Sequence, residues 1–173
     1  ILNLTVHGAR VSMMIGLLAT VITVLVGVLI GIVSGFVGGM TDSSLMRVTD
    51  FFLVLPTFVL AIILAPIILD IIGVDAEVAG LRATLVVIVI VIGITSWAST
   101  SRIIRSQTLS VKERMFVDRA RVIGSGNIHI MRKHVLPNVM NLIVAIAVLV
   151  FAGAVFTETT VSSPRLQVQA PAG

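Results

Sequence analysis

Four long apolar runs without a single charged residue constrain the fold of this chain more than any other feature. They are Val11 to Val37, Phe51 to Leu69, Ala83 to Ser101 and Val139 to Phe156. A helix needs roughly 20 apolar residues to cross a bilayer. Only 12% of the 173 residues are charged, about half the share in soluble proteins. The sequence therefore predicts an all-α, polytopic membrane domain with about four to five transmembrane helices.

Composition also excludes several classes of function. The chain has no cysteine, so disulfides and thiolate metal sites are excluded. Its net charge of +4 does not indicate nucleic-acid binding, because the cations cluster between apolar runs as they do in cytoplasmic loops. The four runs contain no charged residue and no histidine, which disfavours an intramembrane enzyme. We expect no catalytic residue, no metal site and no cofactor.

The distribution of charge between the runs predicts the orientation in the membrane. Segment 102–138 has eight Lys and Arg residues against two acidic ones, and Lys and Arg accumulate on the cytoplasmic side. The preceding loop has Asp70, Asp75 and Glu77 with Arg82 as its one cation, which suits the outer face. Alternation then places the turn from Gly38 to Asp50 inside and the N-terminus outside.

Small residues and prolines predict how the first two runs are built. Small side chains recur at every fourth position of the first run and just after it, at Ala19, Thr23, Gly27, Gly31, Gly35 and Gly39. Such a face permits close helix packing, and the lining of a solute path is the alternative. Pro56 and Pro66 fall within the second run, where each can kink a helix. Arg47 and Asp50, three residues apart, are predicted to pair on one helix face.

The basic segment 102–138 carries its own helical pattern. Apolar residues recur at helical spacing, first as Phe116, Ala120 and Ile123 and then as Ile128, Met131 and Val135. The pattern predicts two short amphipathic helices, from about Arg114 to Ile123 and from there to Lys133. By this pattern alone the segment either docks on a partner or lies on the membrane surface.

Individual residues mark the ends of these two helices. Gly124 is predicted to end the first helix in a left-handed cap, since glycine adopts positive φ at no steric cost. Ser125 or Asn127 can cap the start of the second. Pro137 is predicted to stop that helix and turn the chain before the last run, because the residue before a proline is disfavoured in the α region.

The same segment resembles the EAA loop of bacterial ABC importer permeases. The matching residues are Asp118-Arg119-Ala120, then Gly124 after three intervening residues, and Leu136-Pro137. The ending from Arg132 to Asn138, RKHVLPN, is similar to that of the peptide and nickel importer subfamily. Further matches, in order, are Gly8 to Ser12, Asp42 with Met46-Arg47 and Asp50, Leu55-Pro56, and Thr157-Glu158. The resemblance covers residues 5 to about 160.

The resemblance implies a permease subunit in the cell inner membrane that moves peptides, nickel or a related small solute. It implies that segment 102–138 is cytoplasmic and that the loop docks on a separate ATP-hydrolysing subunit. The expected coupling residues are Asp118, Arg119, Ala120, Gly124, Leu136 and Pro137. The implied partners are ATP-binding subunits, a second permease subunit and a periplasmic or lipid-anchored solute-binding protein, in addition to membrane lipid. The chain has no G-x-x-x-x-G-K-[ST] motif, which would bind ATP phosphates.

The chain departs from the family pattern at several places. Asp118 stands where the family has Glu, and Arg119 where it has Ala. After Thr157-Glu158 the sequence continues into a polar tail, residues 161–173, instead of a further apolar run. We expect residues 5–160 to be a partial permease domain and the tail to be disordered or outside the family pattern. A truncated, non-transporting permease remnant is the alternative function.

Overall fold

The computed structural model describes residues 2–55, 57–73, 77–78 and 81–162. Seven α-helices follow one another there, together with a short antiparallel hairpin and one stretch of π-helix. The helices are α1 Leu2–Val37, α2 Gly39–Val54, α3 Thr57–Ile72, α4 Ala83–Lys112, α5 Met115–Val122, α6 Asn127–Ile130 and α7 Leu136–Ser162. The hairpin pairs β1 Glu77–Val78 with β2 Leu81–Arg82, and the π-helix is Met131–Val135. Most of the predicted tail, residues 163–173, lies outside the described residues.

Helices α1 and α4 run parallel and form the closest packing of the bundle. A Cβ atom placed on Gly27 would lie 2.6 Å from the Thr100 side chain, and one on Gly31 would lie 2.7 Å from the Ser101 carbonyl oxygen. One on Gly35 would lie 2.9 Å from the carbonyl oxygen of Arg105. Glycine is required at these positions because the backbone of α4 occupies the space of a side chain. The predicted small face is therefore a packing surface, which Gly39 does not join, since nothing lies within 4 Å of its Cβ position.

Helix α7 packs antiparallel to α1. The Cβ position of Gly16, early in α1, lies 3.0 Å from Val155 near the end of α7. At the opposite end, Ile32 and Phe36 of α1 belong to one buried cluster with Val135 and Val139. The relative directions of α1, α4 and α7 agree with the predicted alternation of the runs.

The second apolar run is divided between two helices. Helix α2 ends at Val54, and Leu55 is extended with φ −72° and ψ 123°, as expected for a residue before proline. Helix α3 begins at Thr57 and contains Pro66, while Pro56 lies outside the described residues. The predicted run from Phe51 to Leu69 is therefore not one continuous helix, because α2 ends at Val54 and Leu55 is extended.

Among the described residues, two helical stretches are long and apolar enough to cross a membrane, Met13–Val37 and Asn127–Phe156. Helix α4 covers the third predicted run and continues to Lys112. The predicted loop after Ser101 is therefore helical at first, because Ile104, Thr108 and Val111 are fully buried at helical spacing.

Candidate functional site

Helix α5 is held against the bundle by one face. Val117 is fully buried and Ala120 is 7% exposed, and both belong to the main buried cluster with residues of α1, α4 and α7. Phe116 is partly buried beside them. The helix starts after Arg114, whose extended backbone ends the link from α4. One side of α5 is thereby fixed to the helices, and the other faces outward.

The turn after α5 has the geometry that the sequence predicts. Gly124 has φ +86°, which L side chains rarely adopt. Its N–H donates to the Arg121 carbonyl at 2.9 Å, and the Ser125 N–H donates to the Ala120 carbonyl at 3.0 Å. These two bonds define a Schellman motif, in which glycine closes the helix and satisfies its last carbonyls. The prediction of a left-handed cap at Gly124 is confirmed.

The start of the next helix differs from the prediction. Its N-cap residue is Gly126, which is extended with φ −68° and ψ 153°, and no side chain donates or accepts a capping bond there. The Ile130 N–H donates to the Gly126 carbonyl at 3.1 Å. Ser125 and Asn127 therefore do not cap the helix, since Ser125 precedes the N-cap residue and Asn127 is the first residue of the helix.

Pro137 does not stop the helix, contrary to the prediction. Leu136 remains in the α region with φ −53° and ψ −47°, and its N–H donates to the Met131 carbonyl, five residues back. Helices α6 and α7 are joined through the π-helix Met131–Val135 into one continuous helix. The wider turn lies directly before Pro137, whose missing N–H and bulky ring disfavour an ordinary α-helical turn there.

The outward surface formed by α5 and the start of α6 is apolar at its tip. We call this region the tip surface and define it by four exposed apolar residues. They are Met115 at 71% exposure, Val122 at 88%, Ile123 at 82% and Ile128 at 77%. A cleft of about 400 Å³ lies along α5 between Met115 and Ile123, with Asp118 and Arg119 in its wall. Exposed apolar residues grouped in this way typically mark an interaction site.

The charges around the tip surface are mainly positive. A second cleft, of about 550 Å³, is lined by Ile128, His129, Arg132 and Lys133. Asp118 lies 3.5 Å from Arg121, and both side chains are exposed, so this pair contributes little to stability. The surface therefore combines an apolar centre with a basic rim and a single acidic residue on α5.

Arg121 also connects α5 to the end of α1. Its guanidinium carbon lies 5.4 Å from the ring centre of Phe36. The ammonium group of Lys112, the last residue of α4, lies 5.8 Å from the same ring. Phe36 is 2% exposed, and cations over an aromatic face are attracted to it. The three helices thus meet at one aromatic ring.

Two ion pairs tie α2 to α4 at the same end of the bundle. Arg105 donates to Asp42 through Nε at 2.6 Å and through its terminal nitrogen at 2.5 Å. Ser34 also donates to Asp42. The hydrogen bonds from Arg105 hold the pKa of Asp42 below its ordinary value, against the opposing effect of partial burial.

Asp50 forms the second ion pair, with Arg102. The prediction that Asp50 pairs with Arg47 is therefore wrong, since α4 brings a closer cation alongside. Trp97 of α4 is 7% exposed and makes an edge contact with Phe52, with ring centres 5.3 Å apart. Trp97 therefore packs between α4 and α2.

The structure groups most, but not all, of the predicted site residues. Asp118, Arg119, Ala120 and Gly124 lie together on α5 and its cap. Leu136 and Pro137 lie beyond the π-helix, where Leu136 packs on the main buried cluster. The motif did not include the tip surface, although its apolar residues flank the motif positions in the sequence. Asp42 and Arg105 are 63 residues apart, and no local pattern relates them.

Comparison with known proteins gives a family and close relatives. Residues 27–165 match the family model described as "binding-protein-dependent transport system inner membrane component". The chain is 32% identical over 167 residues to the oligopeptide transport system permease protein OppC of Mycobacterium tuberculosis, and 34% identical over 164 residues to that of Bacillus subtilis. It is 33% identical to a putative peptide permease of Brucella ovis.

These matches cover nearly all of this chain but only part of each relative. They cover 95–97% of this chain but 50–54% of each relative. The chain thus spans about half the length of the curated relatives it matches.

Proposed function

We propose that this chain, which belongs to the family of binding-protein-dependent transport system inner membrane components, moves peptides across the inner membrane as a permease subunit of an ABC importer. The relatives named as oligopeptide or peptide permeases support the choice of solute. Nickel or a related small solute is the alternative within the same subfamily. The chain is a membrane permease component and not an enzyme, so energy for transport comes from a partner.

The tip surface is the observation that supports a docking role most strongly. Its residues are more than 70% exposed, whereas Val117 and Ala120 on the opposite face of α5 are buried. An apolar patch on a short helix that is fixed from behind suits insertion into a groove of a partner. We propose that this partner is the ATP-hydrolysing subunit, and that Asp118, Arg119, Ala120, Gly124, Leu136 and Pro137 belong to the coupling segment.

The remaining partners and the orientation follow from the same proposal. The bundle leaves apolar faces exposed, such as Leu17, Leu25 and Leu29 on α1, which would contact lipid or a second permease subunit. Solute would be delivered by a periplasmic or lipid-anchored binding protein. Segment 102–138, with its excess of cations, would lie in the cytoplasm of a multi-pass protein.

Serine substitutions in the tip surface test the docking proposal. Val122→Ser and Ile123→Ser remove apolar contact area without disturbing buried residues, since both side chains are more than 80% exposed. We expect the assembled transporter to lose co-purification with the ATP-hydrolysing subunit and solute-stimulated ATP turnover. Uptake of a labelled peptide into proteoliposomes should fall in parallel.

Met40→Ser provides the matched control. Met40 is 87% exposed near the start of α2. The substitution therefore removes a similar apolar area at a place outside α5 and α6. Unchanged co-purification and turnover in both tip-surface variants would contradict docking through this surface. Normal ATP coupling without uptake of any peptide would instead refute the choice of solute.

A further inference from the structure

The buried residues from α6 to α7 are spaced in a way that an ordinary helix does not allow. Ile130, Val135 and Val139 are fully buried, and Ile143 and Ile146 are 9% and 6% exposed. Their successive separations are five, four, four and three residues. Five residues turn an α-helix by about 500°, which would place Ile130 about 140° away from Val135. Both nevertheless face the same buried cluster.

The π-helix Met131–Val135 explains this spacing. A wide turn absorbs one extra residue, so that side chains five apart share a face. The extra residue lies just before Pro137, which has no N–H to donate to the Lys133 carbonyl and whose ring would clash with that group in an α-helix. One residue further along, the Asn138 side chain donates to the His134 carbonyl at 2.7 Å.

We infer that Pro137 is a positioning residue, which keeps the π-helix in place and thereby sets the rotation of α6 about the axis of α7. With Pro137 present, Ile130 faces the core and Ile128 faces outward in the tip surface, at 77% exposure. Without it, an ordinary turn would rotate α6 relative to α7 by about 100°. This inference rests on the proposed function only in its consequence for coupling, because the effect on rotation is a property of the chain itself.

Pro137→Ala tests the rotation directly. The chain has no cysteine, so Ile128→Cys and Ile130→Cys, introduced one at a time, can report accessibility to a thiol reagent in the permease before the ATP-hydrolysing subunit is added. Helix α7 is held along its length by α1 and α4, whereas α6 has four residues, so α6 should be the part that turns. We expect labelling at position 130 to rise relative to position 128. Labelling that is the same with Pro137 and with alanine would overturn the inference.

Deleting Lys133 in the P137A background provides the rescue. An α-helical turn with one residue fewer again places Ile130 and Val135 on the same face, four residues apart. Lys133 is exposed, and Lys133→Ala in the otherwise unchanged chain controls for loss of its charge. The double variant should recover both the original labelling pattern and ATP coupling, whether or not P137A alone folds well.

Coupling is read from solute-stimulated ATP turnover. We expect P137A to lower it about tenfold, within the range of typical couplings between sites, and the double variant to restore it. A double variant that restores neither the labelling nor the turnover would overturn the inference, whereas altered labelling with unchanged turnover would overturn its consequence for coupling alone. If the original chain shows no stimulated turnover with any ATP-hydrolysing partner, the proposed function fails, and the labelling results still decide whether Pro137 sets the rotation.

Discussion

Replacing Gly31 by alanine should separate the helices of the bundle. The added Cβ would lie 2.7 Å from the Ser101 carbonyl oxygen and 2.8 Å from the Cβ of Ile104. Neither atom is the end of a flexible side chain, so the helices themselves must move. Overpacking of this kind costs typically about 1–3 kcal/mol. Alanine also favours the helix over glycine by about 1 kcal/mol, which would mask part of the loss.

Gly153→Ala removes that ambiguity. Gly153 lies within α7, and a Cβ there meets nothing within 4 Å, so both variants share the gain in helix propensity. The difference between their free energies of unfolding should therefore equal the overpacking cost of about 1–3 kcal/mol. Titration with sodium dodecyl sulfate in mixed micelles, followed by circular dichroism, measures both. Equal stabilities for the two variants would refute close α1–α4 packing at Gly31.

Three further predictions use the same titration. Gly124→Ala should cost about 1–2 kcal/mol because of its positive φ, whereas Gly126→Ala, at φ −68°, should cost less; equal losses would contradict the strained cap. The pKa of Asp42 is lowered in the folded chain, so its ion pair stabilises the fold above the ordinary carboxyl pKa. This stability is lost as the pH falls below about 4. The D42N variant should therefore lose less stability than the original chain over that pH range. Arg121→Gln should cost less than about 1 kcal/mol, since a second cation remains near Phe36; a much larger loss would show that Arg121 has another role.

The features that the sequence predicted well are those decided within a few residues. Gly124 ends α5 as expected, because a glycine after a short amphipathic helix has a strong local preference for the left-handed conformation. The face of small residues on α1 was also predicted correctly, since residues four apart lie on the same side of a helix. Both predictions needed no knowledge of the partner elements.

The predictions that failed concern residues whose environment is set by other parts of the fold. Pro137 does not end the helix, because the residue before it stays in the α region and donates to the Met131 carbonyl through the wide turn. Asp50 was assigned to Arg47 because they are neighbours in sequence, whereas Arg102 reaches it across the α2–α4 contact. Such pairings follow from tertiary packing, which local spacing does not encode.

The sharing of one buried cluster by α5, α6 and α7 has a geometric consequence. Val117, Ala120 and Ile130 share this cluster with Val139 and Ile143 of α7 and with residues of α1 and α4, so a displacement of the small helices would be transmitted to the long ones. The stretch Asn127–Phe156 has 30 residues and is about 45 Å long at the α-helical rise. A tilt of about 5° that pivots at the basic end of this stretch would therefore move its far end by about 4 Å, more than the diameter of a water molecule.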